Sequence, residues 1–192
     1  PGVGDDSLGV HFGTMSQASI VSMKKYGYTE MLPAILHIRN PVRMKDMGQN
    51  WGANRALNNL TMDPNTNLEY GLDKDMGRPN TPAILVDKIF TAEEARIIRR
   101  KLQDVLHTAT IALGKKQLTE VQKLERNQEV RYEQQKVLVN AIKDKGYDGI
   151  VYRNLFEVTE EPGIETKDSF IVFDSNQMLL VDGNSNLNMS DI

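Results

Sequence analysis

The sequence contains no cysteine among its 192 residues, so disulfide bonds, thiolate zinc sites and cysteine nucleophiles are excluded. Its three histidines, His11, His37 and His107, are far apart, which argues against a metal site built from histidine. The formal net charge is -3, and a general polyanion-binding protein would need a basic excess or patch instead. No apolar run approaches the roughly 20 residues that a membrane-spanning helix needs.

The sequence also lacks the common catalytic motifs. It contains no GxSxG, HExxH, P-loop or GxGxxG pattern. Adjacent carboxylates occur at Glu93-Glu94 and at Glu160-Glu161. Neighbouring acids at helix starts and in loops are usually solvated charges, so neither pair is interpreted as a general acid and base.

The composition is that of a globular domain, with 40% hydrophobic and 26% charged residues. At the N-terminal end, the apolar run Gly9 to Phe12 predicts a strand. A helix follows over residues 16–27, with Ser16 as its N-cap. Residues 31–41 alternate between the two faces of a strand that ends at Asn40-Pro41.

The middle of the chain divides into a polar part and a helical part. Residues 44–90 are rich in Asn, Asp, Gly and Pro, and we interpret them as a loop-rich insertion in which only Trp51 to Leu60 is helical. Residues 91–145 form a helical section, whose first helix begins with a capping-box pattern at Thr91 and Glu94. The apolar positions expected to face inward are Ala95, Ile98, Leu102, Val105 and Leu106 in the first helix, and Leu118, Val121, Leu124, Val137, Leu138, Ala141 and Ile142 in the second.

After Gly146 the pattern changes to strands: GIVYRN, SFIVFD and QMLLVD. The order of strand, helix, strand, helical section and strand cluster predicts an α+β fold with a mostly antiparallel sheet and helices grouped to one side. We expect residues 1–192 to form a single domain.

Four stretches carry a family resemblance: LGVHFGTMSQASI (8–20), ILHIRNPVRMKDMG (35–48), IKDKGYDGIVYRNLFE (142–157) and DSFIVFDSNQM (168–178). In order and spacing they resemble the ADP-ribosyltransferase-like domains of large polyvalent proteins from phages and conjugative elements. Those domains are similar in fold to the poly-ADP-ribose polymerases and diphtheria toxin. The resemblance implies a split antiparallel sheet across which NAD is bound.

The resemblance also implies a set of residues that contact NAD. His11 takes the place of an aromatic residue that lies against the nicotinamide, although a half-exposed histidine at a strand end is the alternative. Phe12 is expected to point the other way, into the core. Gly13 and Thr14 would shape the turn at the site, with Thr14 equally suited to cap the following helix. Tyr152 ends a neighbouring strand and faces either the ligand or the core.

The catalytic position departs from the family pattern. A glutamate on a late strand assists the reaction in the family, because cleaving the glycosidic bond builds positive charge on the ribose. Ser169 stands in its place here, and a hydroxyl supplies no negative charge. Asp168 is adjacent but should face the opposite side of the strand. Glu157 is the candidate substitute for the missing acid, and a solvated loop carboxylate is the alternative interpretation.

The family's first strand, with its His-Gly-Thr motif, has no counterpart in residues 1–8. Either this strand lies upstream in a longer polypeptide or this copy has lost it, and we favour the first explanation, in which Pro1 is an internal boundary. The resemblance predicts NAD-dependent transfer of ADP-ribose to a host macromolecule, by a module of a phage or mobile-element protein located in the host cytoplasm or in the virion before delivery. A catalytically inactive docking module is the alternative, and its docking surface would be the almost wholly polar centre of the second helix, ERNQEVRYEQQK (125–136). A chance resemblance of an unrelated α+β domain is the third. No membrane partner and no general nucleic-acid binding are expected.

Overall fold

The computed structural model describes residues 8–19, 33–48, 51–62, 70–73, 84–113, 119–155 and 167–181. Within these residues the strands are β1 Val10–Phe12, β2 Ala34–Leu36, β3 Pro41–Met44, β4 Tyr70–Asp73, β5 Ile84–Asp87, β6 Gly149–Arg153, β7 Asp168–Val172 and β8 Met178–Leu180. The helices are α1, which begins at Met15 and is described to Ser19, then α2 Ala53–Leu60, α3 Ala92–Leu113 and α4 Glu120–Asp144. A short 3-10 helix covers Ser175–Gln177.

Four of the described strands form the main sheet, in the order β1-β7-β6-β3. The strand β7 is antiparallel to both β1 and β6, whereas β3 is parallel to β6. Two further antiparallel pairs, β2 with β8 and β4 with β5, form separate two-stranded sheets. The predicted α+β class is therefore confirmed, and the main sheet is mixed.

The single strand predicted over residues 31–41 is wrong. The structure has β2 at Ala34–Leu36 and a second strand, β3, that begins at Pro41. Between them the carboxylate of Asp148 accepts hydrogen bonds from the backbone N–H groups of Arg39 (2.7 Å) and Asn40 (2.8 Å). Proline is tolerated as the first residue of a strand, so Pro41 begins β3 where we expected it to end a strand.

The start of α3 and the end of α4 were predicted correctly from local sequence. Thr91 and Glu94 exchange the expected capping hydrogen bonds at the start of α3. At the end of α4, Gly146 adopts a φ of 88°, the left-handed conformation that favours glycine after a helix. The predicted N-cap Ser16 is wrong, because α1 begins at Met15 and Thr14 caps it. The predicted continuation of this helix beyond Ser19 lies outside the described residues.

The hydrophobic core lies between one face of the main sheet and the helices α2, α3 and α4. Alternate residues of β3, β6 and β7 supply the sheet side of this core: Val42, Met44, Ile150, Tyr152 and Ile171. The helix side is formed by Ala56, Leu57, Leu60, Ala95, Ile98, Leu102, Leu138 and Ile142. The segment 44–90, which we interpreted as a loop-rich insertion, thus contributes α2 together with the buried Trp51 and Phe90.

The outer halves of α3 and α4 depart from the predicted pattern of burial. Val121 is 65% exposed and Leu124 is 60% exposed, so their prediction as inward residues is wrong. Leu106 is 53% exposed and was also predicted wrongly. The buried residues of α4 are Gln135, Leu138 and Ile142, which lie in its C-terminal half. Leu118, the other residue predicted to face inward near the start of α4, lies outside the described residues.

Candidate functional site

The candidate site lies at one end of the main sheet, along the line where several strands end or begin. We call this line the sheet edge. The strands β3 and β6 are parallel, so both end at this edge, and the antiparallel β7 begins there. Because β1 is antiparallel to β7, it also ends at this edge. Side chains from four separate parts of the sequence are therefore brought together where the strands end.

Three aromatic rings meet at this edge: His11 from β1, Trp51 from just before α2 and Tyr152 from β6. We call them the aromatic trio. The ring centroids are 5.2 Å apart for His11 and Trp51, 6.0 Å for His11 and Tyr152, and 4.6 Å for Trp51 and Tyr152. The Nδ1 atom of His11 lies 3.2 Å from the Oη atom of Tyr152, within hydrogen-bond distance. Trp51 and Tyr152 are buried and belong to the core cluster, so of the two orientations that we weighed for Tyr152 the structure shows the one toward the core. His11 is half-buried.

His11 lies on the core face of the sheet. It pairs with Ile171, a fully buried core residue, and residues paired across an antiparallel ladder point to the same face. Phe12 pairs with Phe170 and lies on the opposite face, outside the core cluster. The expectation that Phe12 points away from His11 is confirmed, and the expectation that Phe12 enters the core is wrong.

A network of buried polar groups lies beside the aromatic trio, and we call it the amide network. Its members are the side chains of Gln17, Asn154 and Ser169 with the backbone of Thr14 and Lys167. The Ser169 hydroxyl donates to Gln17 Oε1 at 3.2 Å and accepts from Asn154 Nδ2 at 3.0 Å. Gln17 Oε1 also accepts from the Thr14 N–H at 2.7 Å, and Gln17 Nε2 donates to the Lys167 carbonyl at 3.2 Å.

The structure places Ser169, the residue predicted at the catalytic position, inside this network. Ser169 is 1% exposed and its hydroxyl both donates and accepts a hydrogen bond. Such an arrangement satisfies a buried hydroxyl and fixes the chain around it. A structural role accounts for all of these contacts.

Asp168 faces the opposite side of the sheet from Ser169, as its position in the strand predicted. Its carboxylate forms a two-point contact with the Arg43 guanidinium, with N···O distances of 3.1 Å and 2.7 Å. The hydrogen bond to Asp168 raises the pKa of Arg43 above its ordinary value. This pair joins β3 to β7 on the face away from the aromatic trio.

Gly13 and Thr14 form the turn that leads from β1 into α1. Thr14 Oγ1 accepts from the Gln17 N–H at 3.3 Å while its own N–H donates to the Gln17 side chain, which is a capping box. A Cβ atom on Gly13 would lie 2.6 Å from Gln17 Oε1, so a side chain here would require the end of the Gln17 side chain to move. Of the two roles that we weighed for Thr14, the structure shows the helix cap.

Glu157, the predicted substitute for the catalytic acid, lies outside the described residues. A different carboxylate, Asp46, is found at the same sheet edge, just after β3. It is 6% exposed and accepts hydrogen bonds from the N–H groups of Gly48 (2.9 Å) and Leu155 (2.6 Å). Asp46 therefore joins the chain after β3 to the chain after β6.

Sequence reasoning missed Trp51, Gln17, Asn154 and Asp46. The pattern Thr14-x-x-Gln17 is a capping-box signature that would have identified Gln17 and corrected the N-cap. Trp51 is the only tryptophan of the chain, but nothing in its local sequence indicated a contact with His11. Asn154 and Asp46 lie just beyond strand ends. Apart from the nearby Gly48, which donates to Asp46, the partners that tie them into the site are Ser169 for Asn154 and Leu155 for Asp46, and both come from other segments.

Neither a metal centre nor a membrane span is seen in the described part of the chain. No three or more His, Asp or Glu side chains are grouped there in a way that would bind a metal ion. None of the helices within these ranges has the length and apolar character needed to cross a bilayer.

Comparison with known proteins gave no match: no family model, no curated protein and no solved structure is significantly similar to this chain. The resemblance to ADP-ribosyltransferase-like domains therefore stays a prediction that depends on the four sequence stretches.

Proposed function

We propose that the chain is an ADP-ribosyltransferase-like domain that binds NAD at the aromatic trio and transfers ADP-ribose to a macromolecule. The single observation that supports this proposal best is the contact between His11 and Tyr152, at 3.2 Å. Both residues were chosen from the sequence as NAD contacts, and they come from segments 141 residues apart. A sheet edge with aromatic and hydrogen-bonding groups fits the flat, amide-bearing nicotinamide ring.

In the proposed reaction, the bond between the nicotinamide nitrogen and the ribose carbon breaks, and nicotinamide leaves with the electron pair. A nucleophilic oxygen or nitrogen of the acceptor forms the new bond to that carbon and gives up its proton. Positive charge develops on the ribose, so a carboxylate near the ribose lowers the barrier. Glu157 is our candidate for this carboxylate, on the basis of the family resemblance.

The acceptor in this proposal is a host macromolecule, and the domain acts within a larger phage or mobile-element protein. This context, and the location in the host cytoplasm or the virion, rests on the sequence resemblance.

A labelling experiment tests the transfer reaction. The protein is incubated with NAD that carries a detectable adenine group, alone and with host lysate, and modified proteins are detected on a gel. We expect label on the protein itself or on a lysate protein, and loss of that label in Glu157→Gln. The variant Glu125→Gln, on an exposed position of α4, is the matched control. Absence of label with the wild-type protein would contradict transferase activity.

A catalytically inactive docking module is the second candidate, and one observation favours it. The Ser169 hydroxyl is hydrogen-bonded to Gln17 and Asn154, so the position that carries the catalytic glutamate in the family has a structural role here.

Thermal unfolding with added NAD distinguishes an inactive domain that binds NAD from a docking module that does not bind it. A ligand at one hundred times its dissociation constant stabilises the folded state by about 2.7 kcal/mol. A raised melting temperature without labelling would support NAD binding by an inactive domain, whereas no response to NAD would favour a docking module.

A further inference from the structure

Gln17 is a buried amide that joins the turn after β1 to the start of β7. It is 5% exposed. Its Oε1 atom accepts from the Thr14 N–H at 2.7 Å and from the Ser169 hydroxyl at 3.2 Å, and its Nε2 atom donates to the Lys167 carbonyl at 3.2 Å. The donor and the acceptor of the amide are thus both used, by groups on two separate segments.

The turn after β1 lies directly on this amide. A Cβ atom on Gly13 would be 2.6 Å from Gln17 Oε1 and 3.2 Å from Ser169 Oγ. A contact of 2.6 Å is closer than real Cβ atoms approach, so only glycine fits here without a shift. The turn, the Gln17 amide and the Ser169 hydroxyl are therefore packed closely against one another.

The close packing of the turn against Gln17 affects His11, because His11 lies two residues before Gly13. The strand β1 has three residues and, among the described strands, it pairs with β7 alone. Such a short edge strand has few backbone hydrogen bonds to fix its end. We infer that Gln17 is a positioning residue: by holding the turn after β1 against β7, it keeps the His11 ring in contact with Trp51 and Tyr152.

Gln17 is not among the residues that the family resemblance identifies, and the Ser169 hydroxyl belongs to the same support because it donates to Gln17. The effect of Gln17 on the affinity for NAD rests on the proposed function. The effect of Gln17 on the geometry of the aromatic trio is independent of NAD.

The first arm of the test uses the ligand-free protein. Trp51 is the only tryptophan in the sequence, so its fluorescence emission reports on the aromatic trio, and the near-ultraviolet circular dichroism reports on its coupling to Tyr152. Both spectra are recorded well below the melting temperature for the wild type, Gln17→Ala and the control Gln103→Ala, an exposed glutamine on α3. We expect altered spectra in Gln17→Ala and unchanged spectra in Gln103→Ala. A folded Gln17→Ala protein with wild-type spectra would overturn the inference.

The second arm measures the dissociation constant for NAD by calorimetry. Loss of the hydrogen bonds that fix the turn should weaken binding by roughly tenfold in Gln17→Ala, with no change in Gln103→Ala. Wild-type binding in Gln17→Ala would contradict the inference. If the wild-type protein itself does not bind NAD, the proposed function fails, and the ligand-free spectra still decide whether Gln17 positions His11.

Ser169→Ala provides a second variant in case Gln17→Ala does not fold. It removes one oxygen atom and leaves the Gln17 contacts to Thr14 and Lys167 in place. We expect changes in the Trp51 spectra and in NAD affinity that are smaller than those of Gln17→Ala and in the same direction. If Ser169→Ala abolished transfer while the spectra and NAD affinity stayed at wild-type values, Ser169 would be a catalytic residue and the positioning role would be wrong.

Discussion

His11 and Tyr152 lie within 3.2 Å of each other although β7 separates their strands in the sheet. Tyr152 is paired with Ser169 on β7. Gly13 also lies next to Ser169, because a Cβ atom added to Gly13 would be 3.2 Å from the Ser169 hydroxyl oxygen. Glycine and serine are small, so they leave room above β7 for the two rings to meet. We therefore expect a larger residue at position 169 to disturb the aromatic trio.

The substitution Ser169→Glu separates the structural role of this position from the catalytic role that the resemblance implies. The new carboxylate would stand at a position that is 1% exposed and would lose the fit with Gln17 and Asn154. We expect the free energy of unfolding to fall by roughly 3 kcal/mol or more, since a buried unpaired charge is among the most destabilising changes. Denaturant unfolding measures this, with Ser175→Glu at an exposed position as the control. A Ser169→Glu protein of wild-type stability and higher transfer activity would contradict the structural role.

The two ends of α4 should differ sharply in their contribution to stability. Leu138 is fully buried, and Leu124, two heptads earlier on the same helix, is 60% exposed. Leu138→Ala should lower the free energy of unfolding by about 2–5 kcal/mol through lost burial and a residual cavity. Leu124→Ala should change it by less than about 0.5 kcal/mol. The comparison uses chemical denaturation of both variants, and similar losses at the two positions would show that the outer half of α4 is buried in solution.

The start of α3 and the end of α4 are linked by an ion pair that makes stability depend on pH. The pKa of Glu94 lies below its ordinary value of 4.5, first because Lys145 donates to its carboxylate and then because the Thr91 N–H does so. A carboxylate with a lowered folded pKa contributes stability that is fully present above the unfolded pKa and is lost as the pH falls through the folded pKa. The contribution should therefore be complete above pH 4.5 and decline below it.

Glu94→Gln tests this pH dependence. The variant should be less stable than wild type near neutral pH, and the difference should shrink as the pH falls below 4.5, where wild type loses the charge. Unfolding curves recorded across this range measure the difference, with Glu125→Gln on the exposed half of α4 as the control. Equal stability differences at all pH values would show that the Glu94 charge has no such effect.

Local signals in the sequence predicted local structure. The capping box at Thr91 and Glu94, the end of α4 at Gly146 and the helix around Trp51 to Leu60 all depend on residues within a few positions of one another. The burial of Val121 and Leu124 was predicted wrongly, because their apolar spacing is that of a buried stripe but the core formed by the described residues does not extend to the outer half of α4. Periodicity identifies a face of a helix, and it does not show how far the rest of the fold covers that face.

Pairing between strands that are distant in sequence explains the other differences between the predicted and the observed structure. The start of β3 at Pro41 depends on its parallel ladder to β6, which is more than 100 residues away in the chain. The contact of Trp51 with His11 and Tyr152 arises from the same packing, so no local pattern indicated it. The sequence indicated that His11 and Tyr152 lie at strand ends. Their contact across β7 could not be predicted from the sequence, because it depends on how the strands pair in the fold.

The most direct test of the proposed NAD site is a titration of the wild-type protein with NAD, followed by the fluorescence of Trp51. Because Trp51 contacts His11 and Tyr152, we expect a saturable change in its emission. His11→Ala should weaken the apparent affinity by roughly tenfold or more, through loss of a ring and a hydrogen bond, while His107→Ala at an exposed position of α3 should bind as wild type does. No change in emission with millimolar NAD, or equal affinity in His11→Ala, would contradict the account.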